Sequence, residues 1–173
     1  TPLLGDTIGD NLDRTIERFP DREALVSVHQ DLRYTYAQFG EAVDRAARAF
    51  IAAGLEPGDR VGIWSPNCAE WALVQYGTAK AGIILVNINP AYRTSELEYV
   101  LRQSGCRMLV AATAFKTSDY VKMVADVRDN LVGLEQVVFI GRDWEEFIAG
   151  GERVTTEELR SRQGATQFDD PIN

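Results

Sequence analysis

Between Arg60 and Ile140 one pair of signals recurs: a short apolar run, then a longer stretch with apolar residues at helical spacing. The runs are Arg60 to Trp64, Ile83 to Val86, Met108 to Ala111 and Gln136 to Ile140. Ile83-Ile84-Leu85-Val86 shows no polar alternation, the mark of a strand covered on both faces. Strands alternating with helices through short connections argue for parallel βαβ units with helices packed on the sheet. The expected class is therefore α/β, with a parallel-rich sheet and flanking helices.

The intervening stretches carry helix start and stop signals. Thr35 and Gln38 form a capping box, in which each side chain satisfies a backbone N–H that the helix leaves unpaired. Phe39, Val43, Ala46, Ala47 and Phe50 then share one face, and Glu41, Asp44, Arg45 and Arg48 another, as a surface helix with one buried stripe requires. Gly54 supplies a left-handed stop and Pro57-Gly58-Asp59 a turn. Asn67 with Glu70, and Ser95 with Glu98, read as further boxes. The first of these opens a helix through Trp71, Leu73, Val74, Tyr76 and Ala79 that is apolar around most of its circumference, so it is expected between layers. Gly82 ends it. The second opens a helix with Leu97, Val100 and Leu101, stopped at Gly105, and another helix spans Ser118 to Leu131.

Upstream, Leu12, Ile16 and Phe19 form a helical stripe over Asn11 to Phe19, stopped by Pro20. Ala24 to Val28 and Arg33 to Tyr36 read as a hairpin around His29-Gln30-Asp31. After Gly141 come a short helical piece near Trp144, Phe147 and Ile148, the turn Gly150-Gly151, and a box at Thr155 and Glu158.

The chain carries 26 acidic and 18 basic residues, a formal charge of −8, with no basic patch to follow a phosphate backbone. Nucleic acid is excluded as a partner on that ground. Cys68 and Cys106 have neither zinc spacing nor a disulfide framework around them, which fits a reducing compartment. No apolar run approaches the ~18 residues of a membrane span, and no secretory signal opens the chain, so cytoplasm is the expected location.

Several residues invite a catalytic reading and lose it on chemistry. Gly77 to Gly82 lacks the Gly-Lys-Ser/Thr ending of a phosphate loop, and it closes a helix whereas phosphates bind where helices begin. Lys80 there suits the helix dipole. No Gly-x-Gly-x-x-Gly or Gly-x-Ser-x-Gly pattern appears. His29, the one histidine, falls in a turn without a nucleophile and an orienting group. Glu145-Glu146, Glu157-Glu158 and Asp169-Asp170 are neighbours whose side chains diverge, so they read as solvated surface. Cys68, near a helix start, reads as a small buried residue, and Trp64, Trp71 and Tyr76 read as core. Asn87-Ile88-Asn89-Pro90-Ala91-Tyr92-Arg93 is different: it follows a buried strand at its carboxyl end, where α/β folds place ligands. Turn chemistry alone also explains it.

In order and spacing, the segments Tyr34-Thr35-Tyr36-Ala37-Gln38-Phe39, Gly54 to Ile63, Pro66-Asn67 with Glu70-Trp71, and Lys80-Ala81-Gly82 resemble the N-terminal part of adenylate-forming acyl-CoA synthetases. The run Val86 to Arg93 looks most like the medium- and long-chain fatty acyl-CoA synthetases. The resemblance covers nearly the whole chain. It implies that a parent enzyme, an acid–thiol ligase, uses ATP and Mg2+ to turn a fatty acid into an acyl-adenylate, then transfers the acyl group to coenzyme A. It also implies that residues 1–173 are an N-terminal subdomain of the adenylation domain. Asp169-Asp170-Pro171-Ile172-Asn173 resembles the approach to the family's phosphate loop, which makes the chain a truncated form lacking the C-terminal domain.

From this follow the expectations for function. No catalytic, cofactor-binding or metal residue is assigned within the chain, and the fragment is expected to be inactive and not to bind nucleotide tightly. Self-association through an exposed sheet edge is expected. The parent enzyme is expected in the cytoplasm, with peripheral membrane contact allowed. Two rival readings are a non-catalytic interaction module on the same scaffold and an adenylating ligase for aryl or amino acids.

Overall fold

A computed structural model describes residues 5–171. The chain enters through α1 (Ile8–Arg18), capped by the Thr7 hydroxyl, which accepts from the Asp10 N–H at 3.1 Å. An antiparallel hairpin follows, β1 (Glu23–Ser27) and β2 (Leu32–Thr35), joined by a 3-10 turn over Val28–Gln30. The Thr35–Gln38 capping box is formed in both directions and opens α2 (Tyr36–Ala52). Two crossover units come next, β3 (Arg60–Trp64), α3 (Ala69–Lys80), β4 (Ile84–Asn87), α4 (Thr94–Ser104) and β5 (Met108–Ala111). A small ribbon of β6 (Ala114–Phe115) and β7 (Ser118–Asp119) leads to α5 (Tyr120–Arg128) and β8 (Gln136–Phe139). The described chain closes with α6 (Trp144–Gly150) and α7 (Thr156–Gly164), the latter opened by the expected Thr155–Glu158 box.

Four strands make one parallel sheet in the order β4-β3-β5-β8, with Val61 opposite both Leu85 and Met108, and Met108 opposite Gln136. The period-two pleat sends alternate residues to opposite faces, and two separate cores result. Val61, Ile63, Met108, Val110 and Val138 face one core with residues from α1, α2, α3, α6 and α7. Trp64, Leu109, Ala111 and Phe139 face the other, filled by Leu97 and Leu101 of α4 and by Tyr120, Met123, Val124 and Val127 of α5. The result is the α/β architecture expected: a parallel sheet between helical layers. Gly77 lets α3 approach α2 closely, since a Cβ there would sit 3.1 Å from the Ala46 methyl and 3.2 Å from the Ala47 backbone nitrogen.

Local readings differ from the structure in five places. The start of α3 is Cys68, and no Asn67–Glu70 box forms; its Ala69 N–H is instead taken by Gln30 Oε1 at 2.7 Å. Helix α4 begins earlier than the Ser95–Glu98 reading, with Glu96 accepting from the Arg93 N–H at 2.8 Å. Strand β4 lies at the sheet edge and Ile84, Leu85 and Val86 are only half-buried, not covered on both faces. Helix α5 starts at Tyr120 because Ser118 and Asp119 pair with the β6 strand, and it stops at Arg128. Helix α1 starts at Ile8 rather than Asn11, since its cap is Thr7. The approach segment at 169–173 is described through Pro171; Ile172 and Asn173 lie outside the described residues.

Candidate functional site

Helix α3 leaves β3 toward the first core, while α5 leaves β5 toward the second. Adjacent parallel strands whose connections depart to opposite faces open a crevice at their carboxyl ends, the position where α/β sheets take ligands. Here that rim is built from residues 65–68 after β3, 112–119 after β5 and the loop Asn87–Arg93 after β4.

The rim loop is fixed from below by two aromatic residues. Trp64 and Tyr120 are fully buried and stack with ring centroids 3.5 Å apart and planes 5° from parallel. The Trp64 indole Nε1 donates to the Asn89 carbonyl at 3.1 Å, and the Tyr120 hydroxyl donates to the next carbonyl, that of Pro90. Two buried polar handles are thereby satisfied on consecutive peptide groups, which is how Trp and Tyr are normally accommodated in a core. Burial pushes the Tyr120 phenol up to about 12. The loop closes on itself where Asn89 Oδ1 accepts from the Ala91 N–H at 2.9 Å, and Arg93 reaches Ser118 Oγ at 3.2 Å. Asn67, Asn87, Thr113 and Lys116 stand exposed along the same rim.

Whether this rim fits a nucleotide is decided by its helix starts. Phosphates bind to free N–H groups at helix N-termini, and three helices start here. Gln30 occupies that of α3, with its own amide held by Glu70 at 2.8 Å. Glu96 serves the start of α4, and the Asp119 carboxylate accepts from Lys122 N–H at 3.0 Å on α5. At each of these starts one backbone N–H is already taken by one of the chain's own oxygens, two of them on carboxylates. The Glu96 and Asp119 carboxylates add negative charge at the ends where a phosphate would bind, so these helix starts suit a phosphate group poorly. Among the described residues, no group of three or more His, Cys, Asp or Glu side chains is placed to hold a metal ion.

His29 is exposed in the 3-10 turn, with Nδ1 3.4 Å from Ser27 Oγ. Cys68 is half-buried, and burial pushes its thiol up, opposite to the activation a helix start can give. Glu145, Glu146, Glu157, Glu158, Asp169 and Asp170 are exposed, and Glu158 completes the capping box of Thr155 at the start of α7. Trp71 and Tyr76 are half-buried against the first core. Lys80 stands at the carboxyl end of α3, as expected, and is buried there, 2% exposed. Neither its burial nor the role of Gln30 carries a local sequence signal. A well-formed hollow of about 250 Å³ lies away from the rim, between Pro57, Gly82, Ile84, Arg162 and Thr166 at the amino end of β4.

Residues 12–171 match the family model described as AMP-binding enzyme. The protein named "Medium-chain acyl-CoA ligase ACSF2, mitochondrial" from Homo sapiens is 50% identical over 99% of this chain and 31% of its own length. The crystal structure of the anthranilate CoA ligase AuaEII in complex with anthranoyl-AMP superposes with a TM-score of 0.76 at 27% identity, covering 86% of this chain and 28% of that one. A Mycobacterium tuberculosis fatty acyl CoA synthetase shares the fold at 24% identity, TM-score 0.71, over 95% of this chain and 29% of its own. The chain spans 31% of the length of the first curated relatives it matches.

Proposed function

The chain belongs to the AMP-binding enzyme family, and from that premise we propose that it is the N-terminal scaffold of a fatty acyl-CoA ligase. The parent enzyme activates a medium- or long-chain fatty acid at the expense of ATP with Mg2+ and passes it to coenzyme A. The observation that carries this reading is the 50% identity to a medium-chain acyl-CoA ligase along 99% of the chain, within 31% of that protein's length. The aryl-acid likeness is a structural one at 27% identity, and it supports the rival substrate class less.

Within this proposal the chain contributes position and no catalytic, cofactor-binding or metal residue. Gln30, Glu96 and Asp119 each take one backbone N–H at the rim's helix starts, which supports a reading in which the groups that hold phosphate and metal come from other parts of the parent enzyme. The rim loop Asn87–Arg93, pinned by Trp64 and Tyr120, gives those parts a rigid border. Two free cysteines fit a reducing compartment; cytoplasm and mitochondrial matrix both meet that condition. No described helix is long and apolar enough to cross a membrane.

The test is calorimetric titration of the 173-residue chain with Mg-ATP, beside an assay for thioester formation from fatty acid, Mg-ATP and coenzyme A. Neither saturable binding in the micromolar range nor turnover is expected, and either result overturns the proposal. One structural feature supports association of the isolated chain. Among the described residues β4 has a strand neighbour on one side only, and its apolar residues are half-buried. Light scattering at increasing concentration is expected to show dimers or larger species.

A further inference from the structure

Lys80 ends α3 with 3% of its side chain exposed, and the proposed reaction has no use for it. Its Nζ lies 2.5 Å from Asp13 Oδ1 of α1 and 2.7 Å from Asp44 Oδ1 of α2. The two carboxylates themselves remain 41% and 38% exposed. From α7, Gln163 Nε2 donates to Asp10 Oδ1 at 2.9 Å and to Asp13 Oδ2 at 2.8 Å. Gly9 brings α1 close to this point, since a Cβ there would lie 3.1 Å from both Lys80 Cγ and Gln163 Cδ.

The two helices tied to Lys80 differ in how else they are held. Helix α2 buries Phe39, Val43, Ala46, Ala47, Ala49 and Phe50 and stays docked on apolar area alone. Helix α1 buries only Gly9 and Leu12, with Ile16 partly covered. An eleven-residue helix is marginal by itself, so the position of α1 depends on its polar contacts to an unusual degree.

We propose that Lys80 is a charge latch for α1, with Asp13 as the releasable arm and Asp44 as the permanent one. A buried ammonium stripped of every partner is strongly unfavourable. With two carboxylates on two helices, α1 can leave while Asp44 still neutralises Lys80, and the departing Asp13 passes into water. Residues 8–18 therefore open as a unit from an intact sheet, and the Gln163 bridge transmits that opening to α7. The latch is a conformational device of this fold, independent of the acid that the parent enzyme activates.

Hydrogen exchange of the chain, read by mass spectrometry, tests it. In Asp13→Asn the α1 amides are expected to exchange about ten-fold faster or more, while the β3 and β5 amides keep their protection. In Asp44→Asn the α1 amides are expected to exchange as in the unaltered chain. Lys80→Met keeps an apolar stem and leaves both half-exposed carboxylates to water, so it too is expected to free α1 while the β3 and β5 amides keep their protection. The latch is overturned if Asp13→Asn leaves α1 protected, if either the Asp13 or the Lys80 variant loosens the sheet by the same factor, or if Asp44→Asn frees α1 equally.

Discussion

The two rims of the parallel sheet are held by different physics. At the carboxyl rim, two fully buried aromatic side chains stack on each other and each gives one hydrogen bond to the loop above. At the amino rim, Arg107 just before β5 forks to Glu135, at 3.1 and 2.7 Å, and also contacts Asp59. The second rim has more ionic contacts, yet Glu135 is 51% exposed and Arg107 32%. Exposed ion pairs contribute little because water and salt compete for both partners, whereas a buried hydrogen bond lost leaves an unpaired polar group. The number of contacts is thus a poor guide to which rim matters more for stability. The carboxyl rim, where the proposed ligand border lies, is the one fixed by burial.

The largest expected effect is that of Trp64→Ala, which removes the stack and opens a cavity at the rim. A loss of about 3–5 kcal/mol in denaturant-induced unfolding is expected, and a loss below ~1 kcal/mol would show that the loop is pinned by something else. Tyr120→Phe keeps the stack and deletes one bond, leaving the Pro90 carbonyl without its donor. A loss of about 1–3 kcal/mol is expected from that change. The same phenol provides a pH test. Its value in the folded chain, about 12, is raised above the ordinary 10 by burial. The stability it contributes is therefore complete below pH 10 and is lost as pH rises through about 12, which paired unfolding and phenolate-absorbance titrations would detect.

Gln30→Ala, which uncaps α3 across the tertiary structure, is expected to cost about 1 kcal/mol. Smallest of all should be Glu135→Gln at the amino rim, with a loss below that of Tyr120→Phe which fades as salt is added. Hydrogen bonding from Arg107 holds the Glu135 carboxyl below the usual range. Its contribution is present at neutral pH and disappears as pH falls through that lowered value. A Glu135→Gln loss equal to that of Tyr120→Phe would break the contrast between the rims.

Much of this was legible along the chain, and the reason is distance. The Thr35–Gln38 and Thr155–Glu158 boxes were readable because both partners lie within three residues. The strands Arg60–Trp64 and Met108–Ala111 were readable from their apolar runs, and Gly54, Gly82 and Gly105 from the left-handed stops that they adopt. The Asn67 reading failed because a better acceptor, Gln30, arrives from 39 positions away. Ile83 to Val86 showed apolar residues without showing that the strand stands at an edge. The rim loop was recognisable as a carboxyl-end loop, but nothing near it in sequence revealed Trp64 and Tyr120 as its anchors.

The order of strands and helices, the parallel class and the family likeness were determined by the sequence alone, since each rests on periodicity or on residues close together in the chain. The tertiary structure decided which oxygens cap the rim helices, which aromatic rings support the loop, and that Lys80 is buried between two carboxylates. Those outcomes depend on segments tens of residues apart meeting as the sheet assembles, and local spacing holds no record of which partner wins that competition.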